Sequence, residues 1–214
     1  MSEKFTSANF HVICDELAAR DPHLAAIIEK YSYPPLWSRS NSFETLVHII
    51  LEQQVSLASA LSALNKLRER VQEIMPARVL LLTDEEFRAS YVSRQKMAYI
   101  RYLAEAVLSG QINLEQLAEL DNDEVRSQLT ALKGIGNWTV DVYLMFVLQR
   151  ADIFPIGDLA AVNAFKKVKN SPPVITREDI IVQARLWSPY RTVATMMLWH
   201  FYLRERGITA FHPV

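Results

Sequence analysis

The sequence predicts an all-α protein of about ten helices in two lobes. Apolar residues recur at three- and four-residue intervals almost throughout, and glycines and prolines fall between the periodic segments rather than inside them. Cap signatures stand at the starts of several segments, and no stretch reads convincingly as a strand.

Taken in order, Asp21-Pro22 opens a short helix with an N-cap and a first-turn proline. Asn41-Ser42-Phe43-Glu44 reads as a capping box before Leu46, Val47, Ile50 and Leu51. After a break at Ser56, the stripe of Leu57, Leu61, Leu64, Leu67, Val71 and Ile74 runs as far as Pro76. Thr83-Asp84-Glu85-Glu86 caps a short helix. Ser93 begins another, with Met97, Ile100, Leu103, Ala104, Val107 and Leu108 on one face and Gly110 as its stop. Asp121-Asn122-Asp123-Glu124 caps a helix over 122–131, followed by a hairpin at 132–136. Further helices are expected at 138–149, 158–168, 177–186 and about 190–206, the last ended by Gly207. Pro34-Pro35, Pro155 and Pro172-Pro173 mark connections, none of them a long linker. The expected division places N-terminal helices at 1–40, packing with the C-terminal lobe. A central lobe follows at 41–148, with the helix-hairpin-helix at 122–148, and then C-terminal helices at 149–214.

Half of the 214 residues are hydrophobic and 22% are charged, which excludes disordered and collagen-like chains. A chain of this length buries roughly 70% of its unfolded surface, so it needs no staples. The single cysteine, Cys14, rules out an intrachain disulfide, a four-thiolate zinc site and an iron–sulfur cluster built from this chain. The start of the chain has no apolar signal core and every hydrophobic run stops short of a membrane span, so a soluble intracellular protein without a membrane partner is expected. The net charge is −1, unevenly spread. Residues 1–123 hold 12 basic and 17 acidic side chains, and residues 124–214 hold 11 and 7, which permits a basic face on the C-terminal half.

Leu132-Lys133-Gly134-Ile135-Gly136-Asn137-Trp138-Thr139 lies between two amphipathic helices. Glycine tolerates positive φ and close backbone approach. A tight turn here would aim free N–H groups at the start of the next helix outward, a ready site for a phosphate. Ile135 would tuck inward. An ordinary helical corner, with glycines only for close packing, explains the same residues.

This stretch resembles the hairpin of the helix-hairpin-helix DNA glycosylases, of the 3-methyladenine DNA glycosylase II type. Three further segments extend the resemblance: Asp152-Ile153-Phe154-Pro155-Ile156-Gly157-Asp158-Leu159-Ala160, which is similar to the segment carrying the family's catalytic aspartate, Ile49-Ile50-Leu51-Glu52-Gln53-Gln54-Val55-Ser56, and Trp187-Ser188-Pro189-Tyr190-Arg191-Thr192-Val193-Ala194 leading to Trp199. Together they span about residues 41–203 in the family's order. The chain departs from the family pattern at Glu52 and Tyr91, where glycines are common. It also departs at Val142, where a relative has a pocket tyrosine, and at Ala161-Val162-Asn163, which lacks a basic residue.

The resemblance implies an active-site cleft between the lobes, with Asp158 as the catalytic carboxylate. A carboxylate beside the anomeric carbon stabilises positive charge as the base leaves; the plainer reading is that Asp158 only caps its helix. Trp138 and Trp199 are implied as base-pocket walls, where an indole face attracts a cationic alkylated purine, against the plainer reading of core aromatics. Gln54 matches the family's wedge, which fills the hole left by an extruded nucleotide; otherwise Gln53-Gln54 is a polar pair at a helix end. The hairpin at Gly134, Ile135 and Gly136 is implied to grip phosphate, with a monovalent cation, Na+ or K+, on the carbonyls of Thr130, Leu132 and Ile135. Trp187, Tyr190 and Arg191 read as structural, Arg191 pairing with a carboxylate.

In relatives that also cut the backbone, a lysine follows the second glycine by two positions. Here that residue is Trp138, which implies a monofunctional enzyme leaving an abasic site. The expectation is therefore a monomeric base excision repair enzyme that removes alkylated purines such as 3-methyladenine and 7-methylguanine from double-stranded DNA. It would need no required cofactor and no iron–sulfur cluster, and would work in a prokaryotic cytoplasm (nucleoid) or a eukaryotic nucleus. The rivals are a glycosylase for another lesion (deaminated, etheno or mismatched bases), a non-catalytic helix-hairpin-helix DNA-binding module, and a helical scaffold with no DNA role.

Overall fold

Most helices of the chain start on a side chain that satisfies their first N–H groups. In the computed structural model, which describes residues 4–208, thirteen α-helices and one 3-10 turn appear among the described residues, and the only extended pairing is an isolated bridge between Lys4 and Arg150. The first three residues of the N-terminal stretch and the last six of the C-terminal segment lie outside the described residues. Among the described residues no helix is long and apolar enough to cross a membrane.

The chain divides into two units, Met1–Arg39 with Leu144–Val214, and Ser40–Tyr143. The first contains α1 (Phe10–Arg20), α2 (Pro22–Tyr31), α11 (Leu159–Val168), α12 (Arg177–Ala184), the 3-10 turn Arg185–Trp187 and α13 (Arg191–Arg204). α13 packs against α1, α2 and α11, burying Met196, Met197 and Phe165 with Leu17 and Leu24. Asp21 knits this unit together at 0% exposure. It caps α2 by accepting from His23 N at 3.0 Å, and its Oδ2 takes Lys169 Nζ at 2.6 Å and Trp187 Nε1 at 2.7 Å. Burial raises the pKa of this carboxyl, but the Lys169 and Trp187 hydrogen bonds and the Lys169 charge outweigh it and hold it below the usual range.

The second unit contains α3 (Phe43–Glu52), α4 (Leu57–Val71), α5 (Pro76–Leu80), α6 (Asp84–Ala89), α7 (Arg94–Leu108), α8 (Leu114–Glu119) and α9 (Asn122–Thr130), together with most of α10 (Asn137–Phe146). α3 packs on α4 and α7, and α7 also carries α5 and α6. Capping boxes form at Thr83/Glu86 and Asp121/Glu124 as expected.

Three expected boundaries are corrected. The cap of α3 is Ser42, whose hydroxyl accepts from Thr45 N, while Glu44 turns away to pair with Arg68 and Asn41 binds Leu114 O and Tyr143 Oη. The stripe expected to reach Pro76 stops at Val71, because Gln72 takes φ +62° and donates to Arg68 O; Pro76 instead begins α5. The helix expected to reach 149 ends at Phe146. Gln149 adopts φ +53°, and its amide donates to the carbonyls of Trp37, Met145 and Phe146. Three helices that the sequence reading did not delimit, α1 and the short α5 and α8, raise the total among the described residues from the expected ten to thirteen.

Candidate functional site

The hairpin between α9 and α10 is built on a ring. Gly134 has φ +91°, and a Cβ placed on it would overlap Cγ, Cδ1 and Cδ2 of Tyr99 on α7. Tyr99 therefore fills the space that any other residue at this turn would need. Around Gly136 there is open space. Ile135 is tucked inward at 5% exposure and donates to Leu132 O at 3.1 Å. Among the described residues the N–H groups of Gly134 and Gly136 meet no protein acceptor, which leaves donors at the start of α10 for an anion. On either side of the turn, Arg126 of α9 binds Asn137 Oδ1 at 3.0 Å and Asp141 Oδ1 at 2.6 Å on α10. Burial pushes the Asp141 carboxyl up in spite of that arginine. Trp138, the second residue of α10, is half-buried.

The end of α3 is pinned to the same hairpin. Gln53 closes the helix by donating its N–H to Ile50 O, and its side-chain Nε2 donates to Gly134 O at 2.9 Å and Thr139 Oγ1 at 3.0 Å. Gln54 follows with φ +57° and an exposed side chain. α7 ties in through Lys96 Nζ, which donates to Leu51 O at 2.7 Å and whose pKa burial lowers. The sequence reading singled out Gln54 and the glycines but not Gln53, Tyr99 or Lys96 as site residues. Only the Gln-Gln pair carried a local signal.

Asp158 lies in the other unit, at the end of a clamped loop. Arg191 Nε and Nη2 grip Asp152 Oδ1 at 2.6 Å and Oδ2 at 2.9 Å, so Asp152 is the carboxylate that Arg191 pairs with. Burial raises the Asp152 pKa, but the Arg191 hydrogen bonds and charge, with the Ser188 hydroxyl, outweigh it and keep the group ionised below the usual range. Thr192 Oγ1 donates to Arg150 O at 2.6 Å and accepts from Ile153 N at 3.1 Å. The loop then turns at Pro155, whose carbonyl accepts from Asp158 N at 2.8 Å.

Asp158 is the N-cap of α11, and its Oδ1 accepts from Ala161 N at 2.7 Å. The same oxygen accepts from Trp199 Nε1 at 3.0 Å. The Trp199 indole is stacked on Phe146, centroids 5.2 Å apart, and meets Trp37 edge-on at 6.5 Å. Both Asp158 and Trp199 are half-buried, and Leu159 beside them is 72% exposed. The cap is thus real, and the same carboxylate is also held by an indole. Trp187 is fully buried on Asp21, a structural residue.

The positions that depart from the family pattern fall in different surroundings. Tyr91 takes φ +59°, the backbone conformation for which glycine is the usual choice, and is 68% exposed. Glu52 is buried 3.7 Å from His48 Nε2, and Val142 is core. Val162 is half-buried in the first turn of α11. Burial, helped by Asp15, pushes the Cys14 thiol up to about 12, so it is an inert core residue.

Residues 47–190 match the family described as HhH-GPD superfamily base excision DNA repair protein. The chain is 29% identical to DNA-3-methyladenine glycosylase 1 of Schizosaccharomyces pombe over 82% of its length and 79% of that protein's. It is 26% identical to a DNA-3-methyladenine glycosylase of Bacillus subtilis, over 86% of its length and 65% of that protein's. Among solved structures, the S. pombe 3-methyladenine DNA glycosylase in complex with abasic DNA superposes with a TM-score of 0.80 at 28% identity, covering 87% of this chain and 94% of that one. A DNA-3-methyladenine glycosidase from Bacillus halodurans does so with a TM-score of 0.76 at 29% identity, covering 97% and 94%.

Proposed function

The chain belongs to the HhH-GPD superfamily of base excision DNA repair proteins, and from that premise we propose that it is a DNA glycosylase hydrolysing alkylated purines, 3-methyladenine and 7-methylguanine among them, out of duplex DNA. The observation that carries the proposal is Asp158, held at a helix N-terminus with one oxygen fixed by Ala161 N–H and Trp199 Nε1. As the glycosidic bond breaks, positive charge grows at the anomeric carbon. A carboxylate whose orientation is already set stabilises that charge without reorganising, and it orients or deprotonates the attacking water. Alkylation makes the leaving base a good leaving group, so stacking and lability can select the lesion without a dense hydrogen-bond code.

In this reading Gln54 wedges into the stack while Gly134 and Gly136 N–H groups hold a phosphate, a contact that positions without reading sequence. Trp138 and Trp199 offer indole surface to the extruded base. Backbone oxygens of Thr130, Leu132 and Ile135 are the donor type that a hard monovalent cation takes, and Leu132 O keeps a second lone pair beside the one used by Ile135 N–H. Such a cation would add fixed positive charge near the phosphate. Trp138 standing where a Schiff-base lysine is needed supports a monofunctional enzyme that leaves the abasic site intact.

The test is base release from methylated duplex DNA. Wild type releases the base, and Asp158→Asn loses about a hundredfold or more if the carboxylate supplies transition-state electrostatics. Borohydride traps no covalent adduct. A wild type that binds duplex yet releases nothing is the non-catalytic module instead, and a panel of single-lesion duplexes separates alkylpurine specificity from deaminated, etheno or mismatched bases.

A further inference from the structure

We propose that Gln53 is a positioning residue that holds the Gln54 turn and the 132–136 hairpin in one register, so that wedge and phosphate grip engage DNA as a unit. The proposal rests on the reading of Gln54 and the hairpin given above and adds the part that joins them. Both hydrogens of the Gln53 amide are used on the far element, one on Gly134 O and one on Thr139 Oγ1. Its own backbone is held by the N–H bond to Ile50 O that ends α3. The residue is therefore anchored at both ends, and Gln54 projects from the next Cα in a left-handed conformation of the kind that surrounding structure has to hold.

The hairpin has little freedom to follow a shift of the wedge. Gly134 rests on the Tyr99 ring, and Thr139 is buried in the first turn of α10. α7, which carries Tyr99, is itself bound to the last turn of α3 through Lys96 and Leu51 O. Three elements thus brace one another in a closed circuit, and the Gln53 amide is the link nearest the DNA-facing residues. Drawing Gly134 O inward also fixes the peptide it shares with Ile135 N–H, which is bonded to Leu132 O, and so sets the two adjoining peptides that carry the Gly134 and Gly136 N–H groups. A misplacement of 1 Å in a positioned group can cost about a hundredfold in rate.

A mutant cycle tests this with wild type, Gln53→Leu, Gln54→Ala and the double variant. Two readouts are used: affinity for a duplex carrying a tetrahydrofuran abasic analogue, and single-turnover release of 7-methylguanine. Gln53→Leu is expected to weaken both by about tenfold, and Gln54→Ala, which lowers both in the wild-type background, should change them by less than about twofold once Gln53 is leucine. Gln53→Glu, isosteric but unable to donate, should be at least as impaired as leucine, which a space-filling role would not produce. Thr139→Val removes one acceptor from the other side and should reproduce part of the loss with the same non-additivity, giving a second path if Gln53 variants fold poorly. Full retention of the Gln54→Ala factor in the Gln53→Leu background, no effect of Gln54→Ala in wild type, or wild-type behaviour of Gln53→Glu each overturns the proposal. A wild type that releases no base overturns the glycosylase reading itself, a different outcome from a working glycosylase with additive factors.

Discussion

Replacing Gly134 with alanine puts two separate physical costs at one atom. The backbone at φ +91° disfavours any L side chain, a cost of about 1–2 kcal/mol. The new methyl also overlaps the Tyr99 ring, and overpacking of this kind costs about 1–3 kcal/mol once neighbours have shifted. Gly134→Ala should therefore destabilise by about 2–5 kcal/mol, lowering Tm by roughly 4–20 °C for a chain of this size. Thermal and urea unfolding followed by circular dichroism measure it. Gly136→Ala, with open space at its Cβ, is the control and should stay within about 0.5 kcal/mol. In a Tyr99→Ala background the overlap is gone, so the additional cost of Gly134→Ala should shrink to the backbone share of about 1–2 kcal/mol. A loss below about 1 kcal/mol, or one unchanged when Tyr99 is removed, would refute the claim that the hairpin is seated on that ring.

Two further predictions concern the first unit. Trp199→Phe keeps the stacking on Phe146 but removes the N–H that holds Asp158 Oδ1, so single-turnover base release should fall about tenfold, as loss of a hydrogen bond to a charged group implies; in an Asp158→Asn background the same change should do little more. Asp21→Asn breaks the buried contact with Lys169 and should cost about 3 kcal/mol at neutral pH. Because the folded carboxyl is depressed, its stabilisation is present above the ordinary carboxyl pKa near 4 and is lost as pH falls through the lower folded value. The gap between wild type and Asp21→Asn in urea unfolding should accordingly narrow from pH 6 towards pH 3, and a gap that widens instead would contradict the assignment.

Most helix starts were legible, while several helix ends were not. Starts carry their signal in one short stretch, as Thr83 with Glu86 and Asp121 with Glu124 show. Several ends rest on residues that no composition rule marks as stops: Ser32, Gln72 and Gln149 all take positive φ without being glycine or asparagine. Each is tolerated because its surroundings bond the freed backbone, as Gln149 does for Met145 and Phe146. Tyr91 belongs to the same group, which is why a missing glycine there left the turn intact.

The order of caps and the apolar periodicity are properties of neighbouring residues, and they suffice for an all-α class, while the resemblance of four short segments in order supplied a family and a short set of candidate residues. What joins Gln53 to Gly134, Gly134 to Tyr99 and Trp199 to Asp158 spans 81, 35 and 41 positions of chain. Hydrogen bonds and ring contacts at such separations depend on where packed helices bring two side chains, and no local rule encodes that. The candidate residues could be read from the linear chain; the bonds that aim them exist only once it has folded.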